Sequence, residues 1–291
     1  MEIAKSMFQP KNTLTFKGKL LNLDTPIVMG IINVTPDSFY RGSQFMFRRR
    51  IFKRAKLILQ QGGSIIDIGA CSTRPGASVV SEEEELRRLG KAVAVIRKHF
   101  PEAILSVDTY RASVAKRMVE DFSVNMINDI SAGNMDKQMF DTIAKLNVPY
   151  IAMHMQGTPQ DMQDSPHYNN VIKELFTFFA NKTEQLSRLG VKDILIDPGF
   201  GFGKTLEHNF TILNNLDAFR ILNLPIVVGL SRKSMIYKPL AINPETALNG
   251  TTALNTIALI KGAKILRVHD VQEAMETIML TSLTSKQSIE I

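Results

Sequence analysis

Short continuous apolar runs alternate along this chain with longer stretches in which apolar residues recur every three or four positions. Eight such runs follow Pro26, at 27–32, 64–68, 103–107, 124–127, 150–153, 194–196, 225–228 and 264–268. They are short and show no simple alternation, as expected of parallel strands covered by helices on their outer face. The amphipathic stretches between them predict helices, and punctuation at their ends supports this. Ser81-x-x-Glu84 and Asp270-x-x-Glu273 read as capping boxes. Asn243-Pro244 reads as an N-cap followed by proline at the first helical position. Glu83/Arg87 and Glu84/Arg88 read as i,i+4 pairs on an exposed face. The helices after the third and fourth strands are short, near 111–120 and 136–146. Eight strand–helix units in 291 residues, with no linker or low-complexity segment between them, predict an α/β protein built as a single (β/α)8 TIM barrel. An open doubly wound sheet is the alternative and uses fewer strands per domain. Ahead of the barrel, 13–16 and 20–23 flank Lys17-Gly18-Lys19 and predict a β-hairpin. The expected division is a hairpin over 1–25, packed on the N-terminal end of a barrel over 26–291.

Composition narrows the class. Hydrophobic residues make up 44% of the chain and charged residues 22%, the balance of a soluble globular protein. The lone cysteine, Cys71, rules out a disulfide within the chain and fits a reducing, cytoplasmic setting. The first sixteen residues lack the apolar core of a secretory signal, and no apolar run approaches the ~20 residues of a membrane helix. The net charge of +7 raises the question of nucleic acid. The basic residues are spread, however, and the one dense cluster, Arg48-Arg49-Arg50 with Lys53, Arg54 and Lys56, reads as the solvated face of a helix. A basic protein also suits a small anionic substrate.

The strand ends carry the chemistry. In order they present Asn33, Asp67, Asp108, Asn128 with Asp129, His154, Asp197, Ser231 with Lys233, and Arg267 with His269. Any one Asp or Asn has an ordinary explanation as a cap or turn residue. A polar group after every one of eight apolar runs has a better one, because in a barrel these ends converge on the face where active sites lie. Arg267 and His269, two apart, share a face. Asp108, Asn128 and Asp197 suit a flat heterocycle with N–H donors, since a carboxylate accepts two parallel hydrogen bonds. Lys233, Arg267 and His269 suit phosphate. Asn33 offers an oxygen to a hard cation such as Mg²⁺. The His/Cys set of a zinc site is missing, and so is a Gly-x-Ser-x-Gly elbow. The glycine-rich stretch from Asp197 to Thr205 nearly fits two phosphate motifs and fits neither. Gly199 and Gly203 have three residues between them where the P-loop needs four, and the glycines run G-x-G-x-G rather than G-x-G-x-x-G.

These residues fall within longer motifs: Met29-Gly-Ile-Ile-Asn-Val-Thr-Pro-Asp-Ser-Phe39, Asp67-Ile-Gly with Ser72-Thr-Arg-Pro-Gly76, Ser106-Val-Asp-Thr109, Ile127-Asn-Asp-Ile130, Met153-His-Met, Asp197-Pro-Gly-Phe-Gly-Phe-Gly-Lys204, Gly229-Leu-Ser-Arg-Lys-Ser234 and Arg267-Val-His-Asp-Val271. From about Ile27 to about Glu276 the chain resembles the dihydropteroate synthase family. The resemblance implies a homodimeric, Mg²⁺-dependent transferase that joins 6-hydroxymethyl-7,8-dihydropterin diphosphate to p-aminobenzoate in folate biosynthesis. It implies a pterin pocket of Asp108, Asn128, Met153, Asp197 and Lys233, of which Asp108, Asp197 and Lys233 act in catalysis. It places the diphosphate near Asn33, Arg267 and His269, with the metal at Asn33. It places p-aminobenzoate near Thr73, Arg74, Pro75, Phe200 and Ser234. Three segments depart from the family pattern: Arg41 stands for an acidic residue, Ala70-Cys71 follow a single Gly69 where two glycines are usual, and Asn169-Asn170 replace an acidic pair. Read singly, Cys71 is an unreactive small residue and His154 a hydrogen-bonded structural histidine.

Overall fold

The computed structural model describes residues 12–16, 18–35, 44–71 and 80–285. Among these, eight parallel strands close into a barrel in sequence order: β3 (Ile27–Asn33), β4 (Ile65–Gly69), β5 (Ile104–Asp108), β6 (Met126–Asp129), β7 (Tyr150–Met153), β8 (Ile194–Asp197), β9 (Ile226–Val228) and β10 (Ala263–Val268), with β10 returning to β3. The helices are α1 (Gln44–Gln60), α2 (Glu82–His99), α3 (Ala112–Glu120), α4 (Met139–Leu146), α5 (Val171–Arg188), α6 (Leu206–Asn214), the single turn α7 (Ser234–Tyr237), α8 (Leu248–Ile260) and α9 (Val271–Ser285). The antiparallel hairpin β1 (Thr13–Phe16) and β2 (Lys19–Asn22) precedes them.

Strand parity sorts the side chains into two layers. Alternate residues such as Val28, Ile66, Val107 and Ile196 face outward and join the helices in the main core. The others face inward. Met29, Ile65, Met126, Ile151, Leu195 and Ile265 form a separate inner cluster, and Leu14, Phe16 and Leu23 of the hairpin belong to it. The hairpin therefore plugs the barrel at the end opposite the strand C-termini, and the Thr15 amide donates to Asp193 Oδ2 at 3.2 Å.

Some expectations shift. The fourth strand starts at Met126, not 124, because Val124 is held in a turn by its amide bond to the Met118 carbonyl at 3.0 Å. Ser81 caps α2 through the Glu84 amide, but the Glu84 carboxylate turns outward to Arg87 and Arg88 rather than back to the cap. Arg87 thus pairs with Glu84 at i,i+3, not with Glu83. Asp270 sits at the head of α9, yet both its oxygens receive Arg232. Asn243 caps a 3-10 turn, Pro244–Thr246. A full capping box occurs instead at Thr205, where His208 replaces the usual Glu or Gln.

Candidate active site

The residue two positions beyond each inner-cluster residue points into the mouth of the barrel. Asp67 follows Ile65, Asn128 follows Met126, Met153 follows Ile151, Asp197 follows Leu195 and Arg267 follows Ile265. Inward parity thus turns five of the strand-end groups into the walls of one pocket, with Asp108 above Ser106 on β5. Asp129 has the opposite parity. Its carboxylate accepts from the Tyr150 hydroxyl at 2.6 Å and from Ser131 and Gly133, so it belongs to the outer layer.

Charge dominates the pocket. Arg267 donates from Nε to Asp67 Oδ2 at 2.7 Å and from Nη2 to Asp108 Oδ2 at 2.9 Å. Asp67 also receives Asn128 Nδ2 at 3.2 Å. Burial pushes the Asp108 carboxyl up to about 7, against the pull of Arg267 and with Asp67 adding to the push. Burial likewise raises Asp197, opposed by Lys233 and by the Gly199 amide, which donates to Asp197 Oδ1 at 2.7 Å. Burial brings Lys233 down to about 8, with Asp197 opposing. Three carboxylates (Asp67, Asp108, Asp197) thus face two cations (Lys233, Arg267), and a bound species that gains positive charge is favoured there.

The 229–234 turn places Lys233. Arg232 takes a left-handed backbone, φ 57°. It is pinned by both Asp270 oxygens at 2.9 Å and by the carbonyls of Pro244 and Glu245, while its amide donates to Thr251 Oγ1 at 3.1 Å. Lys233 then reaches across to the Phe200 carbonyl and lies 4.7 Å from the centre of the Phe202 ring. Sequence pattern alone does not single out Arg232, Thr251 or Phe202. Arg232 had the visible signal of sitting between two site residues.

The glycine-rich loop is a scaffold, not a phosphate cradle. Its amides point into protein: Gly199 to Asp197 and Gly201 to Asn209 Oδ1 at 2.7 Å. Lys204 is 3% exposed, and its ammonium holds the carbonyls of Phe202 and His154 together with His154 Nδ1 at 3.0 Å. Burial, with Lys204 adjoining, lowers His154 to about 2, so it stays neutral and structural. Phe200, expected to reach the second substrate, is 0% exposed and packs among the outer core residues. Phe202, like Tyr110, joins Met153, Met155 and Met162 in a small apolar wall beside the pocket.

At the ends of β3 and β10, Arg54 of α1 donates to the carbonyls of Ile31 at 3.2 Å and His269 at 2.5 Å. It is a structural strut within a helix whose Arg48, Arg49 and Arg50 are exposed as expected. The Ser231 hydroxyl accepts from the His269 amide at 3.2 Å and lies 3.0 Å from His269 Nδ1. Burial, then Arg267, lowers His269 to about 4, so it enters the site uncharged. Asn33 Oδ1 and Asp108 Oδ2 both border Gly69, where an added Cβ would lie 3.6 Å and 3.7 Å from them.

Of the remaining expected residues, Ser234 opens α7 beside Lys233. Thr73, Arg74 and Pro75, and the departure Arg41, lie outside the described residues. Burial, with Glu85 adding to it, pushes the Cys71 thiol up to about 12, which makes it a poor nucleophile. Asn170, in place of an acid, caps α5 by accepting from the Lys173 amide at 3.0 Å. Among the described residues no helix is long and apolar enough to cross a membrane.

Comparison with known proteins agrees with this geometry. Residues 29–269 match the family described as pterin binding enzyme. The chain is 41% identical over 270 residues to the dihydropteroate synthase of Escherichia coli (strain K12), covering 92% of this chain and 95% of that one. It superposes on the dihydropteroate synthase of Yersinia pestis in complex with a sulfonamide drug with a TM-score of 0.88 at 39% identity, covering 94% of this chain and 99% of the other. The enzyme of Xanthomonas albilineans, solved with 4-aminobenzoic acid, gives a TM-score of 0.85 at 36% identity, covering 96% and 99%.

Proposed function

This chain belongs to the pterin-binding enzyme family, and from that premise we propose that it carries out the dihydropteroate synthase reaction. 6-Hydroxymethyl-7,8-dihydropterin diphosphate condenses with p-aminobenzoate, giving 7,8-dihydropteroate and diphosphate for folate biosynthesis. The observation that carries the reading is the single pocket in which Asp108, Asn128, Asp197, Lys233 and Arg267 meet around the barrel axis, beside an apolar wall containing Met153.

Asp197 accepts two N–H groups of the pterin edge. Asp108 and Asn128 complete the acceptor set, and Met153 packs on the ring. The bond from the pterin methylene carbon to the bridging oxygen breaks, and diphosphate leaves with the electron pair. The positive charge left on the methylene and ring is met by the buried carboxylates, which bind it better than the neutral ground state. The nitrogen of p-aminobenzoate then bonds to the methylene carbon and loses a proton. No protein nucleophile takes part. Lys233, held by the Phe200 carbonyl and the Phe202 ring, borders both substrates. Phe202 takes the arylamine contact expected of Phe200, with Ser234 nearby and Thr73, Arg74 and Pro75 as the proposed remaining partners. Arg267 and His269 face the diphosphate.

Asn33 fits a role in holding Mg²⁺. Its amide oxygen is a hard donor at the rim of the pocket, and no group of three His, Cys, Asp or Glu side chains is present among the described residues to form a dedicated cage. A cation held there by Asn33 would take its remaining ligands from outside the protein side chains, as suits Mg²⁺. When bound, the metal neutralises charge on the leaving group. Asn33→Ala is expected to raise the Mg²⁺ concentration giving half-maximal rate by at least the roughly tenfold that even outer ligands are worth, while leaving affinity for 6-hydroxymethylpterin, which has no phosphate, unchanged. An unaltered Mg²⁺ dependence would remove Asn33 from the metal site.

We further propose a cytoplasmic homodimer. The reading is supported by the lone cysteine and by exposed apolar residues on the last two helices, Ile257 and Ile260 of α8 with Met279, Leu280 and Leu283 of α9. A two-chain mass in sedimentation is the expected result, and a monomer at micromolar concentration would overturn it.

The deciding assay supplies pterin diphosphate, p-aminobenzoate and Mg²⁺ and follows diphosphate and dihydropteroate together. Pterin binding without product would overturn the proposed activity. The pH dependence of kcat/KM for the pterin substrate reports groups of the free enzyme. Asp108 must be ionised and is lost as pH falls below about 7. Lys233 must be charged and is lost as pH rises above about 8. A narrow bell between these values is expected, and a profile flat from pH 6 to 9 would contradict it.

A further inference from the structure

We propose that Asp67 is a positioning residue for this reaction, fixing the amide of Asn128 in the orientation in which it meets the pterin and the guanidinium of Arg267 in the orientation in which it meets the diphosphate. The proposal rests on the reading of the pocket as the pterin site. Asp67 lies one inward step deeper than Gly69, which pairs in register with Asp108, and it is 0% exposed. It therefore lies beneath the ring rather than against it.

Its Oδ2 does two things at once. It accepts Asn128 Nδ2 at 3.2 Å and Arg267 Nε at 2.7 Å. An asparagine amide is nearly the same shape in its two flipped orientations, so only its neighbours decide which end faces a ligand. With Nδ2 committed to Asp67, Asn128 turns Oδ1 the other way. Asp108, Asn128 and Asp197 then all present acceptors, the set required by a heterocycle edge rich in N–H groups. A flipped Asn128 would set a donor against donors. The same carboxylate holds Arg267 so that its Nη2 reaches Asp108, which spans the guanidinium across the pocket.

Packing does not explain the residue. Asp67 Oδ1 is buried without a hydrogen-bond partner, and so is Oγ of Ser106, its register neighbour on β5. A buried carboxylate left half satisfied costs stability, so Asp67 is poorly suited to a purely structural job.

The test uses the full chain with Asp67→Asn and Asp67→Leu. Asn at this position still accepts from Asn128 but no longer carries the charge that holds Arg267. For Asp67→Asn we expect the dissociation constant of 6-hydroxymethylpterin to stay within about threefold, and kcat to fall by about tenfold or more, the scale of one lost charged hydrogen bond. Its melting temperature should stay within about 5 °C of the unmutated chain. For Asp67→Leu, which holds neither group, pterin affinity should fall by about thirtyfold. Unchanged pterin affinity in Asp67→Leu would overturn the proposal. Equal losses in both variants with a collapsed melting temperature would assign Asp67 to folding and overturn it too. Failure of the unmutated chain to bind pterin would sink the reading of the pocket, and this proposal with it.

Discussion

Asp197→Ala is expected to lower kcat/KM for the pterin substrate by about three orders of magnitude or more and to remove measurable binding of 6-hydroxymethylpterin. Two charge-assisted hydrogen bonds to the ring are lost, each worth about 1.5–3 kcal/mol. The attraction for the cation that develops as diphosphate leaves goes with them, about 3 kcal/mol at roughly 6 Å in an effective dielectric of ~20. Asp197 is 5% exposed, so its charge is little screened by solvent. Asp197→Asn serves as the control for shape: it keeps one acceptor, replaces the other with a donor, and should also bind poorly. Calorimetry with 6-hydroxymethylpterin and steady-state kinetics read the two effects separately. Binding within tenfold of the unmutated chain would place the pterin elsewhere.

The second large effect is expected at Gly199. Its φ of 70° is left-handed, and a Cβ built there would lie 2.0 Å from the His154 carbonyl oxygen. That oxygen is backbone and also accepts from Lys204 at 3.3 Å, so it cannot simply swing aside. In Gly199→Ala the left-handed conformation costs about 1–2 kcal/mol, and the overlap forces a backbone shift worth roughly 1–3 kcal/mol more. Against a total stability of about 5–15 kcal/mol this is a large fraction. The melting temperature should fall by about 6 °C or more. Turnover should fall further, because a displaced loop takes the Phe200 carbonyl from Lys233 and Phe202 from the pocket wall. A variant with unchanged melting temperature and rate would show that the loop relaxes freely.

The loop also shows why some of the site was legible and some was not. Asp197 stands at the end of a strand, where parity with Leu195 fixes its direction. Phe200 and Phe202 lie in a turn whose three glycines all have positive φ. No periodicity applies there, so two identical residues two apart could not be told apart. One is in the outer core and the other on the pocket. Arg54 has the same lesson. Its neighbours made it look solvated, and only the meeting of β3 and β10 reveals the two carbonyls it holds. Val124 reads as strand in the sequence because it is apolar, but apolarity reports burial, and a buried turn is as apolar as a strand.

What the sequence determined by itself is the barrel, its strand order, the inward placement of Asp67, Asp108, Asn128, Asp197 and Arg267, and the motifs by which the family is known. Each of these follows from periodicity or local spacing, which neighbouring residues set. What only the tertiary structure decided is pairing: Arg267 between Asp67 and Asp108, Lys233 on the Phe200 carbonyl, His269 neutral beside Ser231, and Lys204 turned inward to His154. These contacts join residues from 33 to 200 positions apart. Whether a charge there is paired, desolvated or available depends on how far the closed barrel brings those positions together.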